Sequence, residues 1–280
     1  MDELLRNAAG DIQLNLPQNP DGPPTVTVTD GNGATVASGT SSQVGTDTTL
    51  FKYTLTPANL ANLDIYTATW LATIGGVTDT YLTYFEVVGG FLFTIEELRA
   101  FDTQITATNY PDAKVRDARA QASQRIEDLC GVSFRLRGNR FTLDGSGDEV
   151  LYLENFEPRT LVSGTIDGTA LAGADITDIA LYPEGRAVRK TRGSWTQGDR
   201  NVVVYYTHGY TQAPLAIRRA AMLLARAILV PFNVPDRATS LSTDEGTFTL
   251  STPGQNGSQT GIPEVDQIVK EHALIVPGVA

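Results

Sequence analysis

The sequence predicts an α+β, multidomain protein: an N-terminal β-sandwich, then a small helical core with an inserted β-hairpin and sheet region. Three observations carry this expectation. Residues 1–89 alternate apolar and polar side chains in short runs broken by glycine, proline and asparagine, the pattern of half-buried strands separated by turns. Residues 94–98, 111–130 and 214–230 place apolar side chains three and four positions apart, the period of one helix face. Between the last two, residues 132–206 return to β-type patterning. At 280 residues the chain is longer than one domain of roughly 150 residues needs. The expected boundaries are 1–89 for an immunoglobulin-like sandwich with a short N-terminal arm, 90–235 for the core, and 236–280 for a flexible loop and a C-terminal docking segment.

Residues 2–9 read as two helical turns stopped by Gly10. Ile12, Leu14 and Leu16 then alternate with polar residues, and Pro17 to Pro24 is a turn. Thr25-Val26-Thr27-Val28-Thr29 alternates cleanly into Asp30-Gly31-Asn32-Gly33, a hairpin signal. Strands are expected at 50–55, 66–73 and 80–88, the last two joined by Gly75-Gly76. About seven short strands of this kind make a small sandwich. Trp70, in mid-strand, is read as a core anchor. Gly89-Gly90 is the hinge.

Thr94, followed three residues later by Glu97, is a capping box ahead of the apolar positions Ile95 and Leu98. Tyr110-Pro111-Asp112 opens a longer helix whose buried face is Val115, Ala118, Ala122, Ile126 and Leu129. Gly131 is its expected C-cap, because glycine tolerates the left-handed backbone there. Arg119, Arg125, Glu127 and Asp128 read as a solvated helix face, with a mixed interface as the alternative. In the β region, two strands are expected to flank Gly138-Asn139, others at 150–153, 160–166, 179–182 and 186–190, with a turn at Asp167-Gly168.

The most informative stretch runs from Val202 to Phe232. Val202 to Tyr206 is β-branched and aromatic, which suits a buried strand. Gly209 allows a tight turn, Pro214 fits the start of a helix and Pro231 ends it. Residues 236–262 are polar and rich in Ser, Thr and Gly, as in a loop that orders against a partner. A short amphipathic helix follows Pro263, and the end of the chain is apolar.

Composition removes several function classes. The net charge is −11, whereas a sequence-independent DNA binder needs cationic surface to neutralise phosphates. Residues 1–90 hold nine carboxylates against Arg6 and Lys52, a net of −7. Cys130 is the single cysteine, so no intrachain disulfide forms. No run of about 20 apolar residues would span a membrane. His208 reads as a turn residue, and His272 lacks a second histidine at helical spacing for zinc. Asp144, Asp148 and Glu149 miss the spacing of a calcium-binding EF-hand loop. No phosphate-binding glycine loop or nucleophile elbow occurs. No catalytic, cofactor-binding or metal residues are assigned, no cofactor is expected, and the chain is not expected to be an enzyme.

The order of these parts resembles a known family. Phe-Thr-Ile-Glu-Glu-Leu at 93–98 leads to a helix ending Ile-Glu-Asp-Leu-Cys-Gly-Val-Ser-Phe at 126–134, then a β-hairpin region, then the strand, turn and helix of 202–225. This resembles the head-to-tail connector, or adaptor, proteins of long-tailed bacteriophages over residues 91–280; the N-terminal β domain is an addition. The resemblance implies a virion protein at the neck, made in the host cytoplasm. It implies a homo-oligomeric ring, typically of twelve copies, that sits beneath the portal protein and extends the DNA channel. Its partners would be the portal, a downstream head-tail stopper, and the major capsid protein through the N-terminal domain. DNA would pass through the lumen without specific binding. Interface candidates are Arg218, Arg219 and Arg226 on the helix, and Val265, Ile268, Val269, Leu274 and Ile275 in the C-terminal segment. The alternative is a structural module binding carbohydrate or host surface through Tyr66, Trp70 and Tyr81.

Overall fold

The computed structural model describes residues 2–182, 187–190, 193–230, 240–243, 246–249 and 259–274. They belong to two compact units, each assembled from two stretches of chain: Met1–Gly90 with Arg135–Thr211, and Phe91–Phe134 with Gln212–Ala280.

The first unit begins with eight strands: β1 (Asp2–Leu5), β2 (Gly10–Asn15), β3 (Thr25–Thr29), β4 (Thr35–Thr40), β5 (Ser42–Val44), β6 (Asp47–Leu55), β7 (Ile65–Ile74) and β8 (Val77–Val88). They form a five-stranded sheet, β1-β8-β7-β3-β4, and a three-stranded sheet, β2-β6-β5. Inward side chains of the two sheets, among them Ile12, Leu14, Phe51, Val26, Val28, Ala68 and Trp70, share one apolar core. Trp70 is fully buried, and its indole N–H donates to Thr83 Oγ1 at 2.9 Å. Tyr66 stacks on Phe85 with centroids 5.2 Å apart. Asp30 Oδ1 accepts from the backbone of Asn32 and Ala34 to close the β3–β4 hairpin. Gly75 and Gly76, both at positive φ, turn β7 into β8 and donate to the Asp21 carboxylate.

The N-terminal residues are a strand, not the two helical turns expected. β1 runs parallel to β8, from Asp2 opposite Phe85 to Leu5 opposite Val88. A helix this short is stable only where tertiary packing supports it, whereas strand pairing satisfies this backbone against an existing sheet. Leu4 also fills the space beside Gly10, where an added Cβ would sit 2.9 Å from its Cδ2.

The second unit opens with α1 (Ile95–Phe101) and α2 (Asp112–Cys130). Both halves of the Thr94–Glu97 capping box form, and Gly131 caps α2 at φ 72° with its N–H on Glu127 O. Back in the first unit come β9 (Arg137–Gly145), β10 (Val150–Tyr152), β11 (Pro158–Ile166), β12 (Thr169–Ala170), α3 (Gly173–Thr177), β13 (Ile179–Tyr182), β14 (Ala187–Lys190) and β15 (Gly198–His208). The sheets β12-β11-β15-β9 and β10-β14-β13 enclose a second core around Trp195, Val188, Val202, Val204 and Tyr206.

Gly138 is not between two strands but inside one. An added Cβ there would lie 1.7 Å from Leu63 O, so glycine is required by the close approach of another backbone. The same region ties residues 1–90 to residues 135–211. Arg135 pairs with Glu3 at 2.6 Å, Arg137 with Glu86 and Arg140 with Asp64 at 3.0 Å. Tyr205, on β15, donates its hydroxyl to Leu63 O.

The second unit closes with α4 (Leu215–Leu229), a hairpin of β16 (Ser240–Thr243) and β17 (Gly246–Thr249), and α5 (Pro263–His272). The hairpin lies within the stretch expected to be a loop; the rest of 236–258, Pro231 and the end of the chain from Ile275 lie outside the described residues.

Candidate assembly interface

α4 is built to be a scaffold. Its buried residues are Ile217, Ala220, Ala221, Leu224 and Ala225, spaced three, four, seven and eight apart, as one helix face requires. The alanines permit close approach to α2, which offers Ala118, Ala122 and Ser123 on its own buried face. α5 contributes Val265, Ile268 and Val269 to the interior. The N–H of Leu274 donates to Cys130 O at 2.9 Å, fastening the end of α5 to α2.

The three arginine candidates flank this scaffold and are engaged within the chain. Arg218 donates from Nε to Leu92 O at 2.9 Å and from Nη2 to Glu97 Oε1 at 2.5 Å. Arg219 pairs with Glu264 of α5 at 2.5 Å. Arg226 pairs with Asp102, just past the end of α1. The backbone N–H of Thr94, then Arg218, hold the Glu97 carboxyl below its ordinary range. The backbone N–H of Gln104, then Arg226, do the same for Asp102. α1 and α5 are therefore braced onto α4 by ion pairs.

Of the apolar candidates, Val265, Ile268 and Val269 lie in the chain's own interior. Leu274 is 36% exposed. Ile275 lies outside the described residues.

Two residues expected on a solvated face are buried. Arg119 is 5% exposed, with its guanidinium 3.4 Å from the centroid of the Phe91 ring. Glu127 is equally buried and accepts from Ser133 Oγ at 2.9 Å and Phe134 N at 3.0 Å. Their phase was the available signal: 119, 123 and 127 run one step beside the apolar stripe 115, 118, 122, 126. Glu127 thus secures the chain leaving α2, beyond the Gly131 cap.

The residues weighed for other chemistry have structural surroundings. Tyr66 and Trp70, considered for sugar stacking, are in the sandwich core, and Tyr81 is packed partly against it. His208 is buried beside Tyr206. Asp144 accepts from the backbone N–H of Arg200. Among the described residues no group of three or more His, Cys, Asp and Glu side chains is arranged to hold a metal ion. Cys130 is buried, and burial followed by the nearby Glu127 pushes its thiol up to about 11. No described helix is long and apolar enough to cross a membrane.

Residues 91–232, from the start of α1 through the β region to the end of α4, match the head completion protein family. The chain belongs to that family. It is a head-to-tail connector, a structural protein of phage-type virions, as the order of its motifs suggested. The match excludes residues 1–90, although that segment forms a single unit with the family's β region. Among solved structures, a chain from the neck of an empty GTA particle, computed with C6 symmetry, aligns at 12% identity with a TM-score of 0.44, covering 67% of this chain and 93% of that one. No curated protein matches significantly.

Proposed function

We propose that copies of this chain close into a ring of twelve beneath the portal, extend the DNA channel, and join the head to the next connector without catalysing a reaction. The family match over residues 91–232 is the observation that carries this reading. A ring needs two different complementary faces per subunit, because its contacts are heterologous. The net charge of −11 suits a channel through which DNA slides without adhering. The segment after α5 is the portal-facing element in this reading, beginning at the exposed Leu274 and continuing through Ile275. Arg218, Arg219 and Arg226 serve it indirectly, by holding α1 and α5 on the α4 scaffold. The N-terminal β region faces the surrounding shell.

The test is a count of copies. Native mass spectrometry of the purified chain, with microscopy of the virion neck, is expected to give about twelve subunits at one vertex. A single copy per particle, or copies spread over the shell, would overturn the proposal.

A further inference from the structure

The sandwich is polarised along its strands. At one end Glu3, Asp64 and Glu86 are paired with Arg135, Arg140 and Arg137. At the other end its turns come together. The Asp21 carboxylate accepts from Gly75 and Gly76 between β7 and β8, and Thr48 Oγ1 donates to Asn19 Oδ1 at 2.6 Å. Asp21, Asp47 and Asp79, the last opposite Ala72 near the start of β8, are all exposed at this tip. None of the three pairs with a cation among the described residues.

The complementary chemistry lies in the sheet β10-β14-β13 of the same unit. Leu151 and Val188 turn inward to its core, so Tyr152 and Tyr182 face outward by strand alternation. Both pair in register with position 187, one from each side, which sets them about 10 Å apart across the middle strand. Tyr152 is 73% exposed and Tyr182 45%. The sequence 186–192, which includes β14, carries Arg186, Arg189, Lys190 and Arg192 and no carboxylate. No other seven consecutive residues hold as many cations. Tyrosine offers broad contact area at low entropic cost, and with arginine it is enriched at the centres of protein interfaces.

We infer that this tyrosine face receives the aspartate-bearing tip of the sandwich of a neighbouring copy, and that this is a contact through which the ring closes. Charge selects the occupant. Residues 1–90 carry a net −7 and their tip holds carboxylates with no cation, while the strand between the tyrosines belongs to the most cationic run in the chain. Unlike charges steer tip towards face, and like ends repel, which keeps the contact head to tail. A ring contact joins two different surfaces of one subunit, and the tip and the tyrosine face are two such surfaces on one compact unit. The contact uses the tip of the sandwich and not its sheet faces. This inference rests on the ring reading proposed above and adds to it the surfaces that meet.

The test uses full-length chains. Asp47→Lys with Asp79→Lys reverses the tip, and Arg189→Glu reverses charge in the face; thermal melting checks the fold of each. Native mass spectrometry across a range of protein concentrations is expected to show that each variant needs roughly tenfold more protein than wild type for half-assembly. A second measurement does not depend on those variants folding. A chain with both Asp79→Cys and Tyr152→Cys, two exposed positions, is treated with a short bismaleimide after assembly. Copies are expected to be linked into a ladder that ends at the closed ring, whereas either cysteine alone gives none, because unlike positions meet. Half-assembly of both charge variants at the wild-type concentration, or intact rings without a ladder, would overturn the inference and leave the ring reading standing. Binding of a DNA oligonucleotide that Arg189→Glu abolishes while rings persist would overturn it in favour of nucleic acid on this face. A wild-type chain that forms no ring would sink the ring reading, and this inference with it.

Discussion

Arginine is the residue on which both units depend. Arg137 meets Glu86 where the carboxylate is 3% exposed. Removing the cation by Arg137→Ala would leave that carboxylate buried without its cation, a change that typically costs about 3–5 kcal/mol. Urea unfolding should show this as a large fall in midpoint. Arg218 and Arg226, interface candidates from sequence, pair with Glu97 and Asp102 of the same chain. Arg218→Glu and Arg226→Glu are therefore expected to lower the melting temperature of the isolated chain, and not only its assembly. These pairs also give a pH dependence with a definite sign. Both carboxyls titrate lower in the folded state than their ordinary values of 4.5 and 3.8. Their contribution is complete above that range and is lost as pH falls through the folded-state values. Circular dichroism melts should show destabilisation beginning near pH 4, and Asp102→Asn should flatten part of it. Cys130, with its thiol pushed up to about 11 by burial, should resist thiol reagents at pH 8 until the protein unfolds.

At the scale of elements, local chemistry was readable wherever a signal was itself local. The capping box at Thr94, the αL cap at Gly131, the Gly75-Gly76 turn and the strand, turn and helix of 202–229 all depend on residues close in sequence. Thr94→Ala should cost about 1 kcal/mol, read from thermal or denaturant unfolding, because one cap acceptor is lost. Elements fixed by distant chain were not readable. β1 is a strand only because β8 offers an edge more than 70 residues later. Gly138 looks like a turn residue in sequence, yet Leu63 O makes it a contact residue. Gly138→Ala should therefore reduce soluble yield far more than the same change at Gly22, where an added Cβ meets nothing within 4 Å. The candidate interface divides the same way. Helical phase correctly sorted α4, but it could not disclose that the exposed-side arginines had partners on α1 and α5.

At the scale of the whole molecule, the chain divides into two compact units, each built from two stretches. Residues 1–90 and 135–211 share one compact unit, interrupted by α1 and α2. Three ion pairs and the Tyr205 hydroxyl link them. A fragment starting at residue 91 is thus expected to be insoluble, since Arg135, Arg137 and Arg140 would lose their carboxylates. Expression of 91–280 as a stable, folded species would contradict this. The interruption also has a consequence for synthesis. At about 5–20 residues per second, a ribosome needs several seconds to pass from the end of β8 to Arg140 in β9. Throughout that interval the nascent sandwich holds Glu3, Asp64 and Glu86 without their arginines. Until β9 arrives these carboxylates have only water to pair with, so the contacts that lock the finished unit are among the last it can make.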